Sequence, residues 1–358
     1  MTSASIASAA PSADPGPAVG GRAASDAAAA KGHGRFAVLD GWRATSICLV
    51  LAGHLLPLGP GRWGVNVAVA GTGMALFFIL SGFLITRFLE SGADLRVFII
   101  RRFFRIVPLA WVVMTILLVI DDAPSGTWAA NYLFYANLPP QQLVGAGGHL
   151  WSLCVEMHFY VGIALFVAIC GRRSLIALPL IAIAATALRM TDHRYMDIVT
   201  WFRIDEILAG GILALCYSGR YGEGVQRLLG RINPYWLMPL LVLSALPAAG
   251  PFNYPRPYIA AALIGATLFN PPPLLSRVFS GRIASYVAAI SYAVYILHIP
   301  LAATWLGSGS SKLVTYAKRP LLFAAITVLA HLSTYRFEQP CIAFAKKLTR
   351  GIRVRAPE

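Results

Sequence analysis

The chain has 358 residues, 57% of them hydrophobic and only 13% charged, with a mean hydropathy of +0.66. Soluble domains carry about 25% charge, and the apolar surplus here recurs in runs of about twenty residues, the length that spans a bilayer core; a soluble domain is excluded, and the unbroken runs exclude a β-barrel, whose strands alternate. The formal net charge of +15 does not mark a nucleic-acid binder, because the basic residues are spread over many short loops, as membrane orientation requires.

Residues 1–34 are rich in Ala, Gly, Ser and Pro and have no apolar core. They lack the apolar region of a secretory signal and are expected to form a disordered tail. About ten spans follow, at 39–58, 66–88, 98–120, 149–170, 174–190, 201–218, 234–249, 257–270, 284–306 and 320–338. The expected fold is therefore all-α, a polytopic membrane bundle over 35–341 with a basic cytoplasmic tail at 342–358.

Loop charge alternates along the chain. Arg35, the cluster Arg87, Arg96, Arg101, Arg102 and Arg105, the pair Arg172 and Arg173, then Arg220, Arg227 and Arg231, Arg277 and Arg282, and the C-terminal Lys346 to Arg355 all fall on one side if both termini are cytoplasmic. The opposite loop at 121–148 has Asp121 and Asp122 and no Lys or Arg. Its aromatic residues Trp128, Tyr132, Phe134 and Tyr135 suit an interfacial belt or, alternatively, a surface on which a sugar stacks. One loop dissents, with Lys312, Lys318 and Arg319 on the expected outer side.

Arg43 and His54 stand eleven residues apart in the first span. That is close to three helical turns, so both face one way, roughly 16 Å apart along the axis. Charged and titratable side chains are costly inside a span and by default suggest function. Histidine titrates near physiological pH and can take a proton from a hydroxyl. Arg43, Arg102 and Arg105, with Asp40 nearby, fall at one membrane level, where guanidinium groups can hold phosphates in fork geometry.

Further along, Ser81-Gly82 reads as a packing notch in the second span. The run His149 to Tyr160 is dense in polar groups and contains Trp151, Ser152 and Glu156. A buried Glu156 needs a proton or a partner, such as an arginine or His54. Arg203 and Asp205 read as an ion pair. Ser291, Tyr295 and His298 share a helical face at steps of four and three residues; His298 precedes Pro300 and is placed to bond the backbone that proline frees. The five cysteines show no metal or redox spacing, and no metal site is expected. Walker, dinucleotide, HExxH and GxSxG motifs are absent from the sequence.

Together these runs resemble the membrane-bound acyltransferase-3 family, bacterial O-acyltransferases of cell-surface sugars. The resemblance covers nearly all of 38–341. It rests on Leu39-Asp40-Gly41-Trp42-Arg43 with ten residues before His54, on Phe77 to Phe83, on Arg101 to Pro108, on His149 to Tyr160, on Ser291 to His298 and on Tyr335 to Pro340. It implies about ten transmembrane helices in a bacterial inner membrane. It also implies an acyl-CoA donor, usually acetyl-CoA, arriving from the cytoplasm, a carbohydrate hydroxyl as acceptor, and no permanently bound cofactor. His54 becomes the general base, Arg43, Arg102 and Arg105 the donor's phosphate ligands, and Glu156 a supporting carboxylate. Asp40, Ser81, His149, Trp151, Ser152, Tyr295 and His298 then support the site or bind substrate. The family often has Glu-Gln after the residue matched by Glu156, where this chain has Met157 and His158. No fused extracellular esterase-like domain, which some members carry, is expected within these residues. The competing classes are a transporter or flippase and a subunit that has lost catalysis. Direct transfer versus an acyl-enzyme, and the oligomeric state, stay open at this point.

Overall fold

A computed structural model describes the backbone of residues 19–352 and the side chains from residue 37 to 352. Among the described residues there is no strand. The helices are α1 (Val19–Leu55), α2 (Val65–Glu90), α3 (Leu95–Ile120), α4 (Ser125–Tyr132), α5 (Trp151–Cys170), α6 (Leu178–Thr191), α7 (Ile204–Tyr217) and α8 (Glu223–Arg231). They continue as α9 (Pro234–Ser244), α10 (Arg256–Phe269), α11 (Pro273–Phe279), α12 (Arg282–Ala302), α13 (Lys312–Ala317), α14 (Arg319–Ser333) and α15 (Gln339–Leu348). Residues 1–18 of the expected tail lie outside the described residues, and 19–34 form the first turns of α1.

Among the described residues, six helical stretches are long and apolar enough to cross a bilayer, at Val65–Glu90, Leu95–Ile120, Gly145–Cys170, Arg172–Thr191, Arg282–Ala302 and Lys312–Leu348. Two bent pairs bring the number to eight. Pro234–Ser244 turns by 117° into Pro247–Asn253, and Arg256–Phe269 turns by 94° into Pro273–Phe279. By this measure the expected ten is not reached, for identifiable reasons. The first expected span carries Asp40, Arg43 and His54, which lower its apolar character. The sixth is the short α7, whose first turn holds Asp205 and Glu206. Many large apolar side chains point outward, among them Val119 on α3, Ile169 on α5, Leu180 on α6 and Val328 on α14. Exposed apolar surface on this scale suits lipid rather than water.

Close helix packing sets the frame. α1 lies against α2 and α12, and α2 lies against α7. At Gly82 on α2, an added Cβ would fall 1.9 Å from the Ile207 carbonyl oxygen of α7; at Gly210 on α7, one would fall 2.1 Å from that of Ile79. Only glycine permits this approach, and dispersion over the long contact is the gain. The notch read at Ser81-Gly82 is this crossing. On the other flank, Trp42 is buried, donates from Nε1 to Thr267 Oγ1 at 2.8 Å and meets Phe279 edge-on. That anchor orients α1 about its axis.

The loops cluster by charge. Arg172 donates to the Ala93 carbonyl, Arg220 pairs with Glu90, Asn270 donates to the Gly230 carbonyl, and Arg101 donates to Thr349. These contacts gather the arginine-rich connections at one end of the bundle. The dissenting Lys318 is engaged locally, donating to the carbonyls of Trp305 and Ser308.

Candidate functional site

With Trp42 turned into α10 and α11, the next residue, Arg43, is rotated onto the face of α1 that meets α2 and α12. Arg43, Ser46, Ile47 and Val50 then line a narrow slot whose far wall is Met74, Phe77, Ser291 and Tyr295. The slot has a volume of only about 10 Å³. Met74 and Tyr295 also line the next space along α1, a cavity of about 510 Å³ reached by His54, His149, Trp151, Asn66 and Arg203. That volume lies in the usual range for small-molecule pockets, about 300–1,000 Å³. Arg43 and His54 therefore share a face, as their spacing predicts, with one at the slot and the other in the cavity. His54 is not deep in the bundle. It sits in the last turn of α1 and is exposed to the cavity.

That last turn is held from outside the helix. Asn66 donates from Nδ2 to the carbonyls of Gly53 and Leu56, both at 2.7 Å. Carbonyls at a helix end have no partner within the helix, and Asn66 supplies one. Sequence reading passed over Asn66, although a lone amide opening an otherwise apolar helix was a visible signal.

The histidines form a directed chain. His298 Nδ1 lies 2.7 Å from the Tyr295 carbonyl oxygen, and His298 Nε2 lies 2.9 Å from His54 Nδ1. A carbonyl has no proton, so His298 must donate from Nδ1. A neutral imidazole has one N–H, so His298 Nε2 accepts, and His54 Nδ1 donates to it. This leaves the lone pair of neutral His54 on Nε2, the nitrogen not used in the chain. His298 thus bonds backbone, but the Tyr295 carbonyl rather than the Ile296 carbonyl that Pro300 leaves without its helical donor.

Tyr295 fastens the wall between slot and cavity. Its hydroxyl donates to the His149 carbonyl at 2.5 Å and accepts from Ser152 Oγ at 2.6 Å. Its ring stacks on Phe77 at 6.2 Å between centroids, and His149 meets it edge-on. The spacing of Ser291, Tyr295 and His298 puts Ser291 in the slot, Tyr295 at the junction and His298 beside His54.

The arginine end has different chemistry. Arg43 lies 3.8 Å from Asp40 and within electrostatic range of Arg102, Arg105 and Glu156. Arg102 lies over the Tyr160 ring at 5.5 Å. Glu156 is buried and accepts hydrogen bonds from Ser81 and Tyr160. It lines neither the cavity nor the slot. Neither an arginine nor His54 bonds it, and Arg43 and Arg105 stand only within electrostatic range. His158 bonds Thr200 at 2.7 Å, beside the cavity wall.

A family model for the acyltransferase domain, the acyltransferase-3 family, matches residues 36–335. The chain belongs to that family. It is 25% identical over 311 residues to the peptidoglycan O-acetyltransferase OatA of Listeria monocytogenes, covering 74% of this chain and 49% of that protein. It is 26% identical over 312 residues to YrhL of Bacillus subtilis, covering 74% and 48%. It is 27% identical over 173 residues to Nodulation protein 10 of Rhizobium leguminosarum bv. viciae, covering 40% and 47%. The chain spans about half the length of these relatives. No solved structure matches. The family and the apolar helices together make this chain a membrane protein. Every residue of the slot and the cavity lies inside the matched region.

Proposed function

We propose that this chain is an integral inner-membrane O-acyltransferase that moves an acyl group, acetyl in the simplest case, from acyl-CoA to a carbohydrate hydroxyl. The arginine-rich end faces the cytoplasm under the positive-inside rule. There Arg43, Arg102 and Arg105 bind the donor's phosphates, with Asp40 and Glu156 limiting their mutual repulsion. The thin thiol arm of the donor enters between α1, α2 and α12 by widening the slot at Met74 and Phe77. The acceptor sugar occupies the cavity. His54 Nε2 takes the hydroxyl proton as the oxygen attacks the thioester carbonyl. The C–S bond breaks, an ester forms, and the proton passes from His54 to the departing thiolate. Holding both substrates on one line is worth several kcal/mol of the barrier.

The observation that carries this reading is the directed chain Tyr295 carbonyl–His298–His54, which leaves a basic nitrogen in the larger cavity at the far end of a slot that begins at Arg43. The test is release of free CoA by detergent-purified protein given acetyl-CoA and cell-envelope glycans. Glycan-dependent release by wild type is the expected result. Substrate movement across a vesicle without donor consumption would replace this reading by transport.

A further inference from the structure

Arg203, the residue before α7, lines the cavity and belongs to an unusual ion cluster. Arg189, Arg203 and Arg256 meet Asp205 and Glu206, and all five side chains are at most 3% exposed. Three guanidinium groups face two carboxylates, so the cluster holds one surplus positive charge. Its members are not equally satisfied. Arg189 pairs with Asp205 and also donates to the carbonyls of Arg194, Tyr195 and Asn253. Arg256 donates to Glu206 at 2.7 Å and to Asn253 Oδ1 at 3.2 Å, and does not line the cavity. Arg203 has the weakest tie. Its Nη2 lies 3.4 Å from Glu206 Oε2, the oxygen that Arg256 does not hold, and its Nε and Nη1 are buried with no hydrogen-bond partner, against a single such nitrogen, Nη2, on Arg256. Arg203 is also the member that lines the cavity, where its guanidinium lies 5.3 Å over the Trp151 ring.

A buried cation with two unmet donors is costly unless a partner arrives. The cavity's own carboxylate is not that partner. Asp197 accepts from the backbone N–H groups of Ile198 and Val199 and pairs with Arg194 at 3.6 Å. An anion reaching Arg203 from the cavity would meet both free donors and balance the surplus charge.

We infer that the cavity selects an acidic sugar, with a carboxylate or phosphate of the acceptor seated on Nε and Nη1 of Arg203 while a hydroxyl of the same glycan faces His54. This rests on the reading of the cavity as the acceptor site. Arg203 is a specificity residue in it, and the arginines at the other end of the slot are left for the donor.

The test is binding, measured by ligand-observed NMR on detergent-purified protein without any acyl donor. The probes are methyl β-D-glucuronide, methyl β-D-glucoside and glucose 1-phosphate. Wild type is expected to bind the glucuronide about tenfold or more tightly than the glucoside, the scale of a hydrogen bond to a charged group. Tighter binding of the phosphate than of the glucuronide would support the site and assign the anion to a phosphorylated sugar. Equal affinity for charged and neutral probes, or no detectable binding of either anion, would overturn it. The comparison uses wild type alone and so does not depend on a variant that fails to fold. Arg203→Lys, which keeps the charge but loses the fork, is expected to narrow the preference; an undiminished preference in that variant would also overturn the inference. His54→Ala should keep the preference. A charge preference in wild type without any acyl transfer would break the acyltransferase reading of this cavity and leave the anion site standing.

Discussion

The two ends of the site are built from opposite materials. At one end Arg43, Arg102 and Arg105 stand within electrostatic range of each other, offset by Asp40 and Glu156. At the other, His54 and His298 form a directed hydrogen-bonded pair anchored on a backbone carbonyl. A cluster of fixed positive charge attracts phosphate but is a poor proton acceptor, since arginine does not give up its proton in proteins. A neutral imidazole with one committed nitrogen is a proton acceptor but a weak anion binder. Tyr295 joins the two regions, lining both and tied to Ser152 and His149. On the proposed reading, the separation teaches that holding the donor's phosphates and moving a proton need not share a pocket when a long, thin donor can reach from one to the other.

The largest effect that would sharpen this comparison is at His54. His54→Ala is expected to reduce transfer by about 10²–10⁴-fold, the range for a general base, with a melting temperature only modestly lowered by loss of the bond to His298. Steady-state rates of CoA release check the first part, and a thermal melt the second. At the other end, Arg43→Gln should raise the donor KM by about ten- to a hundredfold, as expected for lost charge-assisted bonds, and leave the acceptor KM unaltered. An equal rise in both would break the division between the ends. A smaller change is expected from His298→Ala. Loss of one ordering hydrogen bond predicts a fall in kcat of about tenfold with the donor KM unaltered; a changed donor KM with an intact kcat would assign His298 to packing. Smallest of all, Trp42→Phe removes the bond to Thr267 and should cost about 1 kcal/mol of stability in a denaturation curve, with kcat/KM little changed.

Much of this was legible in single-helix spacing. The eleven-residue interval from Arg43 to His54 and the steps from Ser291 to His298 each define a face, because helical periodicity is local. The relation between those faces was not legible. Which nitrogen of His298 meets His54, and that Glu156 turns to Ser81 and Tyr160 instead of His54, depend on how α1, α2, α5 and α12 are rotated against one another. Arg203 shows the same limit. Next to Asp205 it reads as half of an ion pair, yet Asp205 goes to Arg189, and Arg203 shares Glu206 with Arg256. The number of spans is not settled by apolar length, for another reason. Where Asp40, Arg43 and His54 stand in one helix, apolar length stops being a measure of what crosses.

Sidedness tests the central claim most directly. Proteoliposomes would be loaded with acetyl-CoA in the lumen and supplied with acceptor glycan outside, against a control with both substrates outside on vesicles sealed and empty. The account predicts acylated glycan outside when the donor is inside, and none when the donor is on the acceptor's side alone. Equal product in the second arrangement, with sealed vesicles, would mean that donor and acceptor enter from one end and that the slot between Arg43 and His54 is not the path.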